Sequence, residues 1–129
     1  MPGPVLDASA LLAAIFDEAG ADRVAEHLPG ATLSAVNLAE VLAKLCDLGM
    51  PDGTIAAIIE GLQLTILPCD AAHARETARL RRLTRSAGLS LGDRACLATA
   101  SLGGTTALSA DRAWARLPAE AGVQVEWVR

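Results

Sequence analysis

The chain has 129 residues, 52% of them hydrophobic and only 2% aromatic, with a net charge of −4. Such a length can bury a core without disulfides or a structural metal, so one domain over residues 1–129 is expected, filled by Ala, Leu, Val and Ile. A mean hydropathy of +0.36 raises the question of a membrane. No apolar run approaches the roughly 18 residues a span needs, and the first apolar stretch lacks a basic start and carries Asp7, so a cytoplasmic protein without membrane contact is expected.

In chain order, "PVLD" reads as a short strand ending in an acid, followed by the helical pattern "ASALLAAIFDEAG". "GADRVAEHLPG" is a second short helix closed by Pro29 and Gly30, "ATLSAV" a strand, and "NLAEVLAKLCDLG" a helix ending at Gly49. Pro51 and Asp52 open the helix "PDGTIAAIIEGL", and "LTILPC" is the next strand. Asp70 begins an arginine-rich helix that stops at Gly88, and "LSLGDRACLATA" is a helix closed by Gly103 and Gly104. "TTALS" is a strand, "ADRAWARL" a short helix up to Pro118, and "VQVEWV" a final strand. Short apolar strands alternating with helices predict βαβ units, hence an α/β fold with a parallel sheet covered on both faces. Ligands of such sheets bind beyond the carboxyl ends of the strands, where strand order reverses.

Four acids fall at that edge. Asp7 and Asp111 lie at or just past the ends of predicted strands, and Glu40 and Asp93 in the first turns of helices that begin at the same edge. Each has a plain structural role available. Asp7 and Asp111 can cap helices, Asp93 can complete a capping box with Ser90, and Glu40 can pair with Lys44 four residues on. Asn37 shares the face of Glu40, and Ser9 and Ser109 place hydroxyls beside Asp7 and Asp111. Four converging carboxylates without matching cations would repel one another, and a hard divalent cation, Mg²⁺ or Mn²⁺, resolves the conflict.

The motifs "VLDASALLA", "NLAEV", "SLGDRACLATA" and "ALSADRAW", in this order and covering essentially the whole chain, resemble the PIN domain, specifically the VapC toxins of type II toxin–antitoxin systems. "LGDRACLA" followed by "LSAD" is the most specific part. The resemblance implies a Rossmann-like three-layer sandwich with a central, mainly parallel sheet, and a Mg²⁺- or Mn²⁺-dependent endoribonuclease that inhibits growth. It carries the catalytic and metal-binding roles onto Asp7, Glu40, Asp93 and Asp111, with Ser9, Asn37 and Ser109 as polar support. It also implies a VapB-type antitoxin partner and a homodimer or toxin–antitoxin hetero-oligomer. The apolar faces of "SALLAAIF", "VLAKLCDLG" and "TIAAIIEGL" are candidates for such contacts, though most of that surface must be core.

An acidic pocket repels RNA, so cations must draw the phosphates in. Arg75, Arg79, Arg81, Arg82 and Arg85 account for five of the eleven basic residues, and Arg75, Arg79 and Arg82 share a helical face. Those three and Arg94, beside Asp93, are the RNA-binding candidates; the plain alternative is a solvated face whose Arg stems cover apolar surface. Cys46, Cys69 and Cys96 form no CxxC and sit in apolar contexts, predicting buried reduced thiols, while His27 and His73 lack metal-ligand spacing and are expected on helix surfaces. A receiver domain would need an adjacent acidic pair after the first strand and a lysine near the last strands; the only lysine is Lys44. "DAS" likewise lacks the second acid of an aspartyl phosphatase. The rival reading that remains is a non-catalytic PIN-like module retained for partner binding.

Overall fold

Five short strands set the frame of the computed structural model, which describes residues 3–117 and 121–129. They are β1 (Val5–Leu6), β2 (Thr32–Ser34), β3 (Thr65–Leu67), β4 (Ala107–Ser109) and β5 (Val125–Trp127). All pair in parallel, in the order β3-β2-β1-β4-β5. The order therefore reverses between β1 and β4, and their carboxyl ends open a crevice there.

The α-helices among the described residues are α1 (Ala8–Ile15), α2 (Ala21–His27), α3 (Ala35–Asp47), α4 (Asp52–Leu62), α5 (Ala71–Thr84) and α6 (Leu91–Gly103). The pleat sorts the strand side chains into two cores. Leu6, Leu33 and Leu108 face α1 to α4 and pack with Leu11, Val24, Val41, Leu45 and Ile55. Val5 and Ala107 face α5 and α6, where Leu80, Cys96, Leu97 and Trp114 fill the layer. The result is an α/β three-layer sandwich, the fold class expected from the sequence. Among the described residues no helix is long and apolar enough to cross a membrane.

The element boundaries differ from the expected ones where local hydrogen bonds override propensity. α1 stops at Ile15, because Asp17 turns the chain with a φ of 53° before Gly20 opens α2 at 93°. α3 begins at Ala35, two residues early, because the Ser34 hydroxyl accepts the Val36 N–H and ends β2. "ADRAWARL" forms only a 3-10 turn over Arg112–Arg116, capped by Asp111; its expected end at Pro118 lies outside the described residues. The thiols correct the sequence reading: Cys96 is buried, but Cys46 and Cys69 are exposed. Both sit where their helix or strand ends face outward, so an apolar sequence context did not translate into burial. His27 and His73 do lie on helices, each half-buried, and His73 pairs with Asp70 at 2.8 Å.

Candidate functional site

Asp7 is the first residue past β1 and the N-cap of α1, so strand end and helix start place it at the sheet crevice. Its backbone N–H donates to the Leu108 carbonyl at 3.0 Å, and its Oδ1 accepts from the Ala10 N–H at 2.8 Å. The Ser9 hydroxyl reaches the two carboxylate oxygens at 2.8 and 2.9 Å, and the Ser109 hydroxyl donates to Oδ2 at 2.5 Å. Those hydroxyls are themselves aimed by the backbone. Ser9 Oγ accepts from the Ala110 N–H and Ser109 Oγ from the Asp111 N–H, both at 3.0 Å. Asp7 is thus 2% exposed and fully hydrogen-bonded, yet every donor is neutral. Burial pushes its pKa up to about 6; the bonds from Ser109, Ala10 and Ser9 pull the other way, and the nearby Asp93 charge adds to the rise.

The second part of the site joins α3 to α6. Asn37, buried on α3, donates through Nδ2 to Glu40 Oε1 at 2.8 Å and to the Gly92 carbonyl at 3.0 Å. Both partners are acceptors, which fixes the amide orientation and leaves Asn37 Oδ1 buried without a partner. Glu40 lies in the second turn of α3, bonded to Asn37 rather than set against Lys44. Its carboxylate rests on the α6 backbone: a Cβ on Gly92 would stand 2.2 Å from Glu40 Oε1. Next in sequence, Asp93 closes a capping box, with Oδ2 accepting from the Ser90 N–H at 2.9 Å while the Ser90 hydroxyl accepts from the Asp93 N–H at 3.2 Å.

Cys96 lies one turn further along α6 and is buried. Burial pushes its thiol well above the ordinary range, and the charges of Asp7, Asp93 and Glu40 push it further. Asp111 is not among those charges. It is exposed, its Oδ1 accepts from the Ala113 N–H at 3.0 Å, and it is tied to the site through its own N–H on Ser109. Among the described residues, no three acid, histidine or thiol side chains stand close enough together, as placed, to hold a metal ion. The donor chemistry does fit a hard divalent cation. It comprises a buried carboxylate with no cation beside it among the described residues, the Glu40 and Asp93 carboxylates on the adjoining turns of α3 and α6, and an orphaned amide oxygen.

The expected residues therefore fall into separate groups. Asp7, Ser9 and Ser109 form one hydrogen-bonded unit, and Asn37 and Glu40 another that touches the first turn of α6 beside Asp93. Arg94 is not at the surface: it is 8% exposed, and its Nη1 donates to the Leu89 carbonyl at 2.8 Å. Arg75 and Arg82 are exposed on α5, and Arg79 is engaged by Glu76 at 2.6 and 3.0 Å. Gly92, the seat of Glu40, was missed by sequence reasoning. Its signal was a glycine at the second position of a helix, where Ala would ordinarily be favoured.

Solved structures share this architecture along its whole length. The DNA-bound VapBC of Salmonella typhimurium superposes with a TM-score of 0.76 at 18% identity, covering 100% of each chain. A toxin–antitoxin complex from Klebsiella pneumoniae gives 0.73 at 20% identity, with 98% of each chain covered. VapBC-5 of Mycobacterium tuberculosis, a member of the VapBC family of toxin–antitoxin systems, gives 0.65 at 25% identity, covering 97% of this chain and 98% of that one. No curated protein sequence matches. The PIN domain family model matches residues 5–120, and with the parallel sheet and its crevice already in view, the chain belongs to the PIN domain family.

Proposed function

We propose that the protein is a metal-dependent endoribonuclease acting as the toxin of a VapBC-type system, held in check by a VapB-type antitoxin. The observation that carries the reading is Asp7: a carboxylate buried at the strand-order reversal, ringed by oriented hydroxyls and without a cation beside it among the described residues. Support comes also from Asn37 joining Glu40 to the turn of α6 that carries Asp93, and from the full-length likeness to toxin–antitoxin structures.

Asp7, Glu40 and Asp93 would hold Mg²⁺ or Mn²⁺, with Asp111 acting at the rim. When bound, the cation supplies charge neutralisation at the scissile phosphate and an acidified water for in-line attack. The chain's own part is orientation. Ser9 and Ser109 keep both Asp7 oxygens directed, and Asn37 holds Glu40 against α6, its buried Oδ1 left as an open hydrogen-bond acceptor. Cleavage leaves a 5′-phosphate and a 3′-hydroxyl.

The test is cleavage of a broad RNA pool with Mn²⁺ by wild type and by Asp93→Asn, which keeps an acceptor for the Ser90 N–H and removes the charge. Wild type should cut and the variant should fold but not cut. Growth arrest on expression should be relieved by co-expressed antitoxin and by Asp7→Ala. Metal-dependent cutting by Asp93→Asn would sink the assignment. A wild type inert toward RNA and harmless on expression would make the protein a partner-binding module, a reading favoured by the absence of a closed three-ligand cluster among the described residues.

A further inference from the structure

Beside the acidic crevice lies a hollow that the chemistry above does not use. It has a volume of about 520 Å³ and sits between the first turns of α3 and α6 and the flank of α5. Val36, Ala78 and Leu91 give it aliphatic walls, and Arg81, Arg94 and Cys69 line it too. Val36 and Arg94 are the sequence neighbours of Asn37 and Asp93, so the hollow and the crevice share the same two helix starts.

Arg94 is the unexplained member. It is 8% exposed, makes no ion pair among the described residues, spends one donor on the Leu89 carbonyl, and buries Nε without any acceptor. A guanidinium taken out of water without a partner is costly, and it has only donors to offer. Its Nη2 also bonds nothing among the described residues and, unlike Nε, is not sealed off, so an acceptor placed in the hollow can reach it. Apolar walls reject a bare hydrated anion and suit a flat body with an acceptor edge. The approach is cationic. Ala78 is a wall common to this hollow and to the smaller one lined by Arg75, Arg79 and Arg82, so the α5 arginines adjoin it.

We infer that this hollow is a nucleobase subsite: it takes the base of a nucleotide flanking the scissile phosphate, read by Arg94, while the α5 arginines follow the backbone. This rests on the ribonuclease reading for its ligand class. Guanine presents two adjacent acceptors, O6 and N7, to which arginine bonds in bidentate fashion, whereas adenine sets an amino donor against it. Guanosine is therefore the preferred occupant.

Cys69 supplies the readout. It lies in the hollow, whereas Cys46, the other exposed thiol, lies in a separate depression between α3 and α4. In EDTA, where nothing is cut, alkylation of the two thiols is followed by mass spectrometry with hexauridylate carrying one guanosine or one adenosine. The guanosine oligomer should protect Cys69 at concentrations at least about fivefold lower than the adenosine oligomer, with Cys46 unchanged. Arg94→Gln should level the two, and the exposed Arg81→Gln should weaken both equally. Because Arg94 is buried, the wild-type contrast and Arg81→Gln decide the matter even if Arg94→Gln fails to fold. No protection of Cys69, equal protection by both oligomers, or protection that follows protein concentration without RNA overturns the subsite. RNA cleavage with Cys69 unprotected would overturn the subsite alone; protection without cleavage in Mn²⁺ would overturn the nuclease reading and leave only a guanosine-binding hollow, without its place beside a scissile phosphate.

Discussion

Asp7→Asn should stabilise the metal-free protein at neutral pH while abolishing activity. The Asp7 pKa is raised from 3.8 to about 6, with burial the largest cause. A raised acid pKa means that the folded state binds the proton more tightly than the unfolded chain. Its stabilising contribution is thus complete below 3.8 and lost as pH rises through about 6. At about 1.4 kcal/mol per pH unit, the cost of keeping Asp7 ionised in the fold is up to about 3 kcal/mol at pH 7.5. Asn mimics the protonated form: its Oδ1 still accepts the Ala10 N–H, and its amide can donate to the Ser9 and Ser109 hydroxyls. Thermal melts in EDTA should place Asp7→Asn higher than wild type by on the order of 10 °C at pH 7.5, and the gap should close below about pH 4 as Asp7 protonates. Adding Mn²⁺ at pH 7.5 should raise wild type and leave the variant unmoved. A variant less stable than wild type in EDTA, or a gap independent of pH, would refute the reasoning.

Other perturbations probe the surroundings. Gly92→Ala adds a Cβ that meets the end of the flexible Glu40 side chain at 2.2 Å. The helix itself gains up to about 1 kcal/mol from the substitution, so the protein should stay folded in melts while RNA cleavage and Mn²⁺-induced stabilisation drop. Ser109→Ala removes the shortest donor to Asp7 and the acceptor of the Asp111 N–H; the pH window over which metal-free stability falls should extend above 6, seen as a steeper melt-versus-pH slope near neutrality. Leu97→Ala empties a fully buried position between α6 and the sheet and should cost about 2–5 kcal/mol in denaturant unfolding, without shifting the ratio of cleavage sites among those still cut.

The strand sequence and the crevice were legible because each strand is an apolar run bounded by a turn residue, and because Asp7 falls directly after β1 and Asp111 two residues past the end of β4. Asp93 was legible twice over, as half of a capping box and as part of an acidic set. The Glu40 seat was hidden for a different reason. It depends on α3 lying against α6, so that Asn37 reaches the carbonyl of a residue 55 positions away, and no local pattern encodes that approach. The fate of Arg94 was hidden in the same way. Next to Asp93 in sequence it resembles a surface cation, but a step of one residue on a helix turns the side chain about 100°, here toward α5 and into a buried layer. Val36 misled for a local reason: its β-branched side chain suits a strand, and the Ser34 cap outweighs that preference.

The acids of the crevice differ in what their charge does for the fold, and this bears on why they are there. Asp93 and Asp111 each cap the start of a helix or turn, where a carboxylate is favourable in its own right. Removing either side chain to Ala therefore mixes a folding defect of roughly 1 kcal/mol with any loss of chemistry, and only the Asn variants separate the two. Asp7 caps α1 as well, but an Asn there would cap equally and would not need to be ionised in a layer that is 2% exposed. Its charge therefore opposes the fold at neutral pH, and the surrounding hydroxyls reduce that opposition without removing it. A charge maintained against stability, at the reversal of strand order in a parallel sheet, is the feature on which the proposed cation site rests. Folding alone accounts for Asp93 and Asp111; it does not account for Asp7.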